Sequence, residues 1–246
     1  MRWTPFSHGF RLDPIGKGSP AALVALLSDR DASAASLGPI AARWAGSVPT
    51  TAFVALEAIA PFVSSSAAPA PRIPDRGAGA APENPAALDR AARRIAPPLE
   101  RQLRAHRLDA SRLVLVGFGY GGTLALHLVL RHGWRCAGVL AFAAKLARPL
   151  PRFISARPKI RLIGRLGDDD VGPGSLREIV EPLSAQGIDA RGVLLAGSAL
   201  SDEAVRHGGA YLVELVATAQ RGDLFQVDRQ PAMDAAPEER RAGRPS

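Results

Sequence analysis

The chain has 246 residues, 47% of them apolar and 22% charged, with a formal net charge of +8. This is enough apolar material for one α/β domain with a buried core, and too much for a disordered polyelectrolyte. The basic excess is almost all arginine, with Lys17, Lys145 and Lys159 the only lysines, and it is scattered along the chain, not gathered into a stripe. It therefore reads as a solvated surface, and nucleic acid is not an expected partner. The single Cys136 excludes an internal disulfide and any cysteine-based zinc cluster, and reads as a small semi-buried thiol. Residues 1–5 lack the apolar stretch of a signal peptide. The longest apolar run, 51–63, is broken by Glu57 and Pro61 and falls short of the ~20 residues that span a bilayer. The expected location is the cytoplasm, with no membrane span.

Along the chain, short apolar runs alternate with amphipathic stretches, the pattern of a mostly parallel sheet covered by helices on both faces. Residues 1–20 form an N-terminal segment with no assigned element. A strand is expected at 22–27, a helix at 34–45 and a strand at 51–56. Residues 64–84, dense in Ala, Pro, Ser and Gly, read as a mobile loop. A helix follows over 85–106; the pair Pro97-Pro98 should kink or split it, because neither residue supplies an amide hydrogen. Next come a strand at 112–117, unbroken by polar residues over 113–116 and so expected at the sheet centre, and a helix at 120–131. Strands at 137–142 and 159–164, a helix at 174–186, a strand at 190–195 and a helix at 202–218 complete an α/β domain over 21–218. The tail, 219–246, mixes Pro, Arg, Asp and Glu and is expected to be disordered. No internal repeat is present.

The segment 112–131, RLVLVGFGYGGTLALHLVLR, encodes a buried strand, a glycine-rich turn and a helix. Its Gly117, Gly119 and Gly122 also satisfy G-x-G-x-x-G, the dinucleotide-binding pattern. That pattern needs an Asp or Glu about 20 residues on for the ribose, and none occurs between Asp109 and Asp168. The stretch Gly117-Phe118-Gly119-Tyr120-Gly121-Gly122 instead resembles the GFSQGG nucleophile elbow of the phospholipase/carboxylesterase family of α/β hydrolases. The resemblance is collinear from about residue 21 to 216. Residues 157–173 are similar to the strand that ends at the family's triad acid. Counting back from Pro173 puts that acid at Asp169, and counting on from Gly167 puts it at Asp170. Residues 194–212 resemble the segment presenting the catalytic histidine, and that register places Ser198 at the histidine.

What the resemblance implies is the α/β-hydrolase fold with a degenerate triad. Gly119 stands at the nucleophile, with no hydroxyl. Ser198 cannot act as a base near neutral pH, and Asp169 alone keeps its chemistry. The family's oxyanion loop, L-L-H-G, reads Leu26-Leu27-Ser28-Asp29, placing a carboxylate beside a site meant to hold negative charge, while Tyr120 follows the elbow. Glycine at 119 also has a folding rationale, since the elbow is held in sparsely allowed backbone space that costs other residues ~1–3 kcal/mol. The expected function is a catalytically inactive homologue that binds a ligand or a protein. The alternative is an active carboxylic-ester hydrolase using displaced residues, with His207 as base or Ser28 or Tyr120 as nucleophile. No cofactor or metal is expected, and the acidic run 168–170 reads as a solvated loop. The partners this reading leaves open are an acyl or ester-like small molecule and a second copy of the chain.

Overall fold

A computed structural model of the chain describes residues 3–6, 8–30, 32–58, 84–166, 173–197 and 200–221. Eight strands form one sheet: β1 (Thr4–Phe6), β2 (Gly9–Leu12), β3 (Ala22–Leu27), β4 (Thr51–Leu56), β5 (Leu113–Phe118), β6 (Gly138–Phe142), β7 (Lys159–Arg165) and β8 (Ala190–Leu195). Five helices join them: α1 (Gly38–Ala45), α2 (Pro85–His106), α3 (Tyr120–Leu130), α4 (Pro173–Ala185) and α5 (Asp202–Gln220). The strand order is β1-β2-β4-β3-β5-β6-β7-β8. From β1 through β2 to β4 the pairing is antiparallel, and from β4 to β8 it is parallel.

Strand alternation divides the core in two. Leu23, Ala25, Leu27, Leu113 and Leu115 meet α2, α3 and α4 on one face, whereas Val24, Leu26, Val114 and Val116 meet α1 and α5 on the other. Strands covered on both sides must be apolar throughout, and every residue of β3, β4, β5 and β6 is buried. This is why their apolar runs were readable without any alternation.

Three departures from the sequence reading stand out. The edge hairpin β1–β2 was not expected; its strands are short and carry Pro5 and Gly9, so their stability comes from pairing onto β4. Helix α2 runs unbroken through Pro97 and Pro98, so of the expected kink or split, the split does not occur. Its apolar face, Leu88, Ala92, Ile95, Leu99 and Leu103, is buried against the sheet and holds it together. The carbonyls that lose their amide partners belong to Arg93 and Arg94, both exposed, where water can satisfy them. Finally, the stretch expected as one helix over 34–45 opens with a 3-10 turn, Ala34–Leu37, before α1. The loop expected at 64–84 lies outside the described residues except for Asn84, whose side chain caps α2 by accepting from the Ala86 amide at 3.0 Å. Residues 222–246 of the expected tail also lie outside them, and α5 extends to Gln220.

One arginine is not on the surface. Arg161 in β7 is 1% exposed; its guanidinium donates to both carboxylate oxygens of Asp189, at 3.1 and 3.0 Å, and to both of Glu214 in α5, at 3.0 and 2.6 Å. Burial alone would lower its pKa, but the bonds to Glu214 and Asp189 hold it above the ordinary value. The same contacts hold Asp189 and Glu214 below the usual carboxylate range. This clamp ties β7, the start of β8 and α5 together.

Candidate functional site

From β3 the chain passes to β4 on one side of the sheet, then crosses back to β5 on the other. β3 and β5 are therefore adjacent at the point where the winding reverses. Crevices form outside the carboxyl ends of strands at such a switch point. Register pairs Leu27 with Gly117, so the loop after β3, beginning Ser28-Asp29, faces the turn after β5.

That turn is sharp. Gly119 has φ 53° and ψ −117°, a backbone conformation that L side chains rarely adopt, and α3 begins at the next residue. A Cβ on Gly117 would overlap the Gly121 carbonyl, and one on Gly121 would overlap the carbonyls of Leu27 and Ser28. The glycines are thus required by close backbone approach, which explains their spacing without reference to any chemistry.

Asp29 reaches into this turn. Its Oδ1 accepts from the Tyr120 amide at 2.9 Å and from the Arg30 amide at 2.8 Å. A Cβ on Gly119 would sit 2.5 Å from Asp29 Cγ, 2.6 Å from Oδ1 and closer still to Oδ2. The carboxylate therefore fills the space that a side chain at 119 would need. It also serves α3 as an N-terminal cap supplied from 91 residues away, where Gly119 has no side chain to do so. Beside it, the Arg30 guanidinium lies 4.4 Å over the Tyr120 ring. Below the turn, Phe118 stacks on Phe142 at 4.7 Å and the Thr123 hydroxyl donates to the Gly119 carbonyl at 3.3 Å.

Residues 73–160 match the phospholipase/carboxylesterase family model. The chain carries the α/β-hydrolase fold of that family. Solved structures agree with it: an esterase named PE8 shares 23% identity, with a TM-score of 0.66 over 85% of this chain and 98% of that one. A carboxylesterase from Mesorhizobium loti shares 17% identity, with a TM-score of 0.62 over 83% and 93% of the two chains. A phospholipase/carboxylesterase from Dyadobacter fermentans shares 16%, with a TM-score of 0.59 over 85% and 99%. At these identities the likeness is one of fold. No curated protein matches the chain by sequence.

Of the site residues expected from the hydrolase resemblance, Gly119, Tyr120, Ser28 and Asp29 converge at the switch point. Asp169, its neighbours Asp168 and Asp170, and Ser198 lie outside the described residues. Ser28 is fully buried, and among the described residues its hydroxyl has no hydrogen-bond partner. Tyr120 is 6% exposed and packs in the core facing α2 and α3, while His207 is exposed on α5 with its ring edge-on to Tyr211. Residues 8–30 and 84–166 thus supply a sharp strand-to-helix turn whose first helix amide is already occupied by a carboxylate from its own chain.

A second group was not anticipated from sequence: Asp89, His127 and His132 meet at the other end of α3. Five positions apart, His127 and His132 do not fall on one helical face, so no spacing pairs them.

Proposed function

We propose that the chain is inactive as an ester hydrolase and uses the hydrolase scaffold as a binding module, for an acyl or ester-like small molecule or for a protein partner, a second copy included. The supporting observation is the Asp29 carboxylate. In this fold the amide after the nucleophile donates to the oxyanion of the tetrahedral intermediate. Here that amide, on Tyr120, is bonded to Asp29, and a negative charge stands where negative charge would have to develop. Losing one oxyanion donor alone typically costs ~100- to 1,000-fold in rate, before the missing hydroxyl at Gly119 is considered.

The same reading keeps the chain in the cytoplasm. Desolvation pushes the Cys136 thiol up to about 12, so it stays protonated and unreactive, and a chain with one such thiol needs no oxidising compartment. Among the described residues no helix is long and apolar enough to cross a membrane.

The test is direct. Purified protein should neither turn over short-chain p-nitrophenyl esters nor be labelled by a fluorophosphonate probe. Robust turnover that is abolished by Tyr120→Phe or Ser28→Ala would overturn the reading. The positive counterpart is the combined variant Gly119→Ser, Asp29→Gly, Ser198→His, which restores hydroxyl, oxyanion amide and imidazole together. Fluorophosphonate labelling of Ser in that variant, and not in Gly119→Ser alone, is the expected result.

A further inference from the structure

At the end of α3 opposite the elbow, Asp89 Oδ1 lies 2.8 Å from His127 Nε2 and 2.9 Å from His132 Nε2. Their ligand atoms all fall within 4.8 Å of one another. On a continuous helix, residues five apart are turned ~140° from each other and cannot point at one spot. Helix α3, however, stops at Leu130, and the Arg131 and His132 amides both fold back onto the His127 carbonyl, at 3.0 and 3.4 Å. This turn brings the imidazoles edge to face, with ring centroids 5.3 Å apart. Asp89 then reaches them from the start of α2.

We propose that Asp89, His127 and His132 form a binding site for a divalent transition-metal ion of the zinc class. Two imidazole nitrogens and one carboxylate oxygen suit Zn²⁺, Co²⁺ or Ni²⁺; Mg²⁺ and Ca²⁺ prefer all-oxygen shells. Ligand atoms around a tetrahedral ion at ~2.0–2.1 Å stand ~3.4 Å from one another; the two Asp89 contacts would spread by about half an ångström to hold it, with the imidazole nitrogens already within 4.8 Å of each other. His127 is 3% exposed. His127 and Arg131 also line a cleft with Pro85, Leu130, Leu146 and Leu150.

Without an ion, the same three side chains make a plain hydrogen-bonded cluster, one carboxylate oxygen accepting from two imidazole N–H groups. The two arrangements differ in their response to Arg131, whose Nε is 3.8 Å from Asp89 Oδ1. A guanidinium there supports a lone carboxylate and repels a cation.

The full chain is titrated with Zn²⁺ against a chromophoric chelator, and with Co²⁺ followed by visible absorption. One equivalent should bind per chain, with a tetrahedral Co²⁺ spectrum. Affinity should fall at least as far as the ~10- to 100-fold that loss of even an outer-shell partner costs, both in Asp89→Asn and in His132→Ala. Arg131→Gln should bind more tightly than wild type, and His207→Ala should bind as wild type does. In the wild-type chain, ¹⁵N resonances of the His127 and His132 rings should shift on adding Zn²⁺, a readout that no folding defect can confuse. Sub-stoichiometric binding, unchanged ring resonances, or affinity equal to wild type in both ligand variants overturns the site; so does weaker binding in Arg131→Gln.

Discussion

Arg161→Ala is expected to lower stability by about 3 kcal/mol. Removing one partner of a buried ion pair typically costs ~3–5 kcal/mol, because the other charges stay behind without compensation. The figure belongs at the low end, since the side chains of Asp189 and Glu214 are 38% and 37% exposed and water recovers part of the loss. For a unit of this size that is roughly 6–12 °C in Tm, measured by thermal or urea unfolding. Arg161→Lys should not rescue it fully, because an ammonium cannot reproduce two forked contacts at once. The effect also carries a pH signature. Asp189 and Glu214 have depressed pKa values in the folded state, so their contribution is complete above their unfolded values, about 3.9 and 4.3, and disappears as pH falls through the lower folded values. The stability gap between wild type and Arg161→Ala should therefore be constant from pH 7 to about 5 and narrow below about pH 4. A gap independent of pH would mean that the clamp contributes through packing alone.

Gly119→Ser is expected to cost about 3–5 kcal/mol from two separable sources. Any side chain at φ 53°, ψ −117° bears a backbone strain of ~1–3 kcal/mol. The new Cβ must also expel the Asp29 carboxylate, breaking its bonds from the Tyr120 and Arg30 amides, worth ~1 kcal/mol each. Asp29→Gly alone should cost about 1–2 kcal/mol, through loss of those two bonds. Made together, the substitutions should cost less than the sum, with a coupling of at least ~1 kcal/mol, because the bonds can be lost only once. Strict additivity would sink the claim that Asp29 fills the side-chain space at 119. The same cycle separates the steric role of Asp29 from its electrostatic one, since Asp29→Asn keeps the clash and removes the charge.

Much of this was legible in the sequence where the cause is local. Strands β3, β4 and β8 were found at their observed limits. The first two are buried on both faces, and only an unbroken apolar run can satisfy that burial; β8 has a mixed burial pattern but still reads as an apolar-ended run. The elbow was readable because its glycines have compact local causes: Gly117 meets the Gly121 carbonyl within the turn, Gly119 has a positive φ, and Gly121 lies against the Leu27 and Ser28 carbonyls. That Asp29 stands beside the turn at Gly119 was implied by the hydrolase resemblance, which sets residues 26–29 against the family's oxyanion loop.

Other features are fixed by which segments the sheet order brings together. Asp29 and Tyr120 meet only because β3 and β5 are neighbours, and their hydrogen bond gives the carboxylate a destination that no spacing rule predicts. Arg161 looks like any other surface arginine until Asp189, just before β8, and Glu214 of α5 arrive to make its burial tolerable. Helix α2 survives Pro97 and Pro98 because its buried face outweighs the two amides they remove. Asp89, His127 and His132 converge because α3 ends where it does and α2 lies alongside. By itself the sequence determined the fold, the strand frame and the shape of the elbow, all consequences of short-range sterics and burial. The tertiary structure decided which charges are buried, which amide is already occupied and where the histidines meet, because those depend on distances between residues remote in the chain.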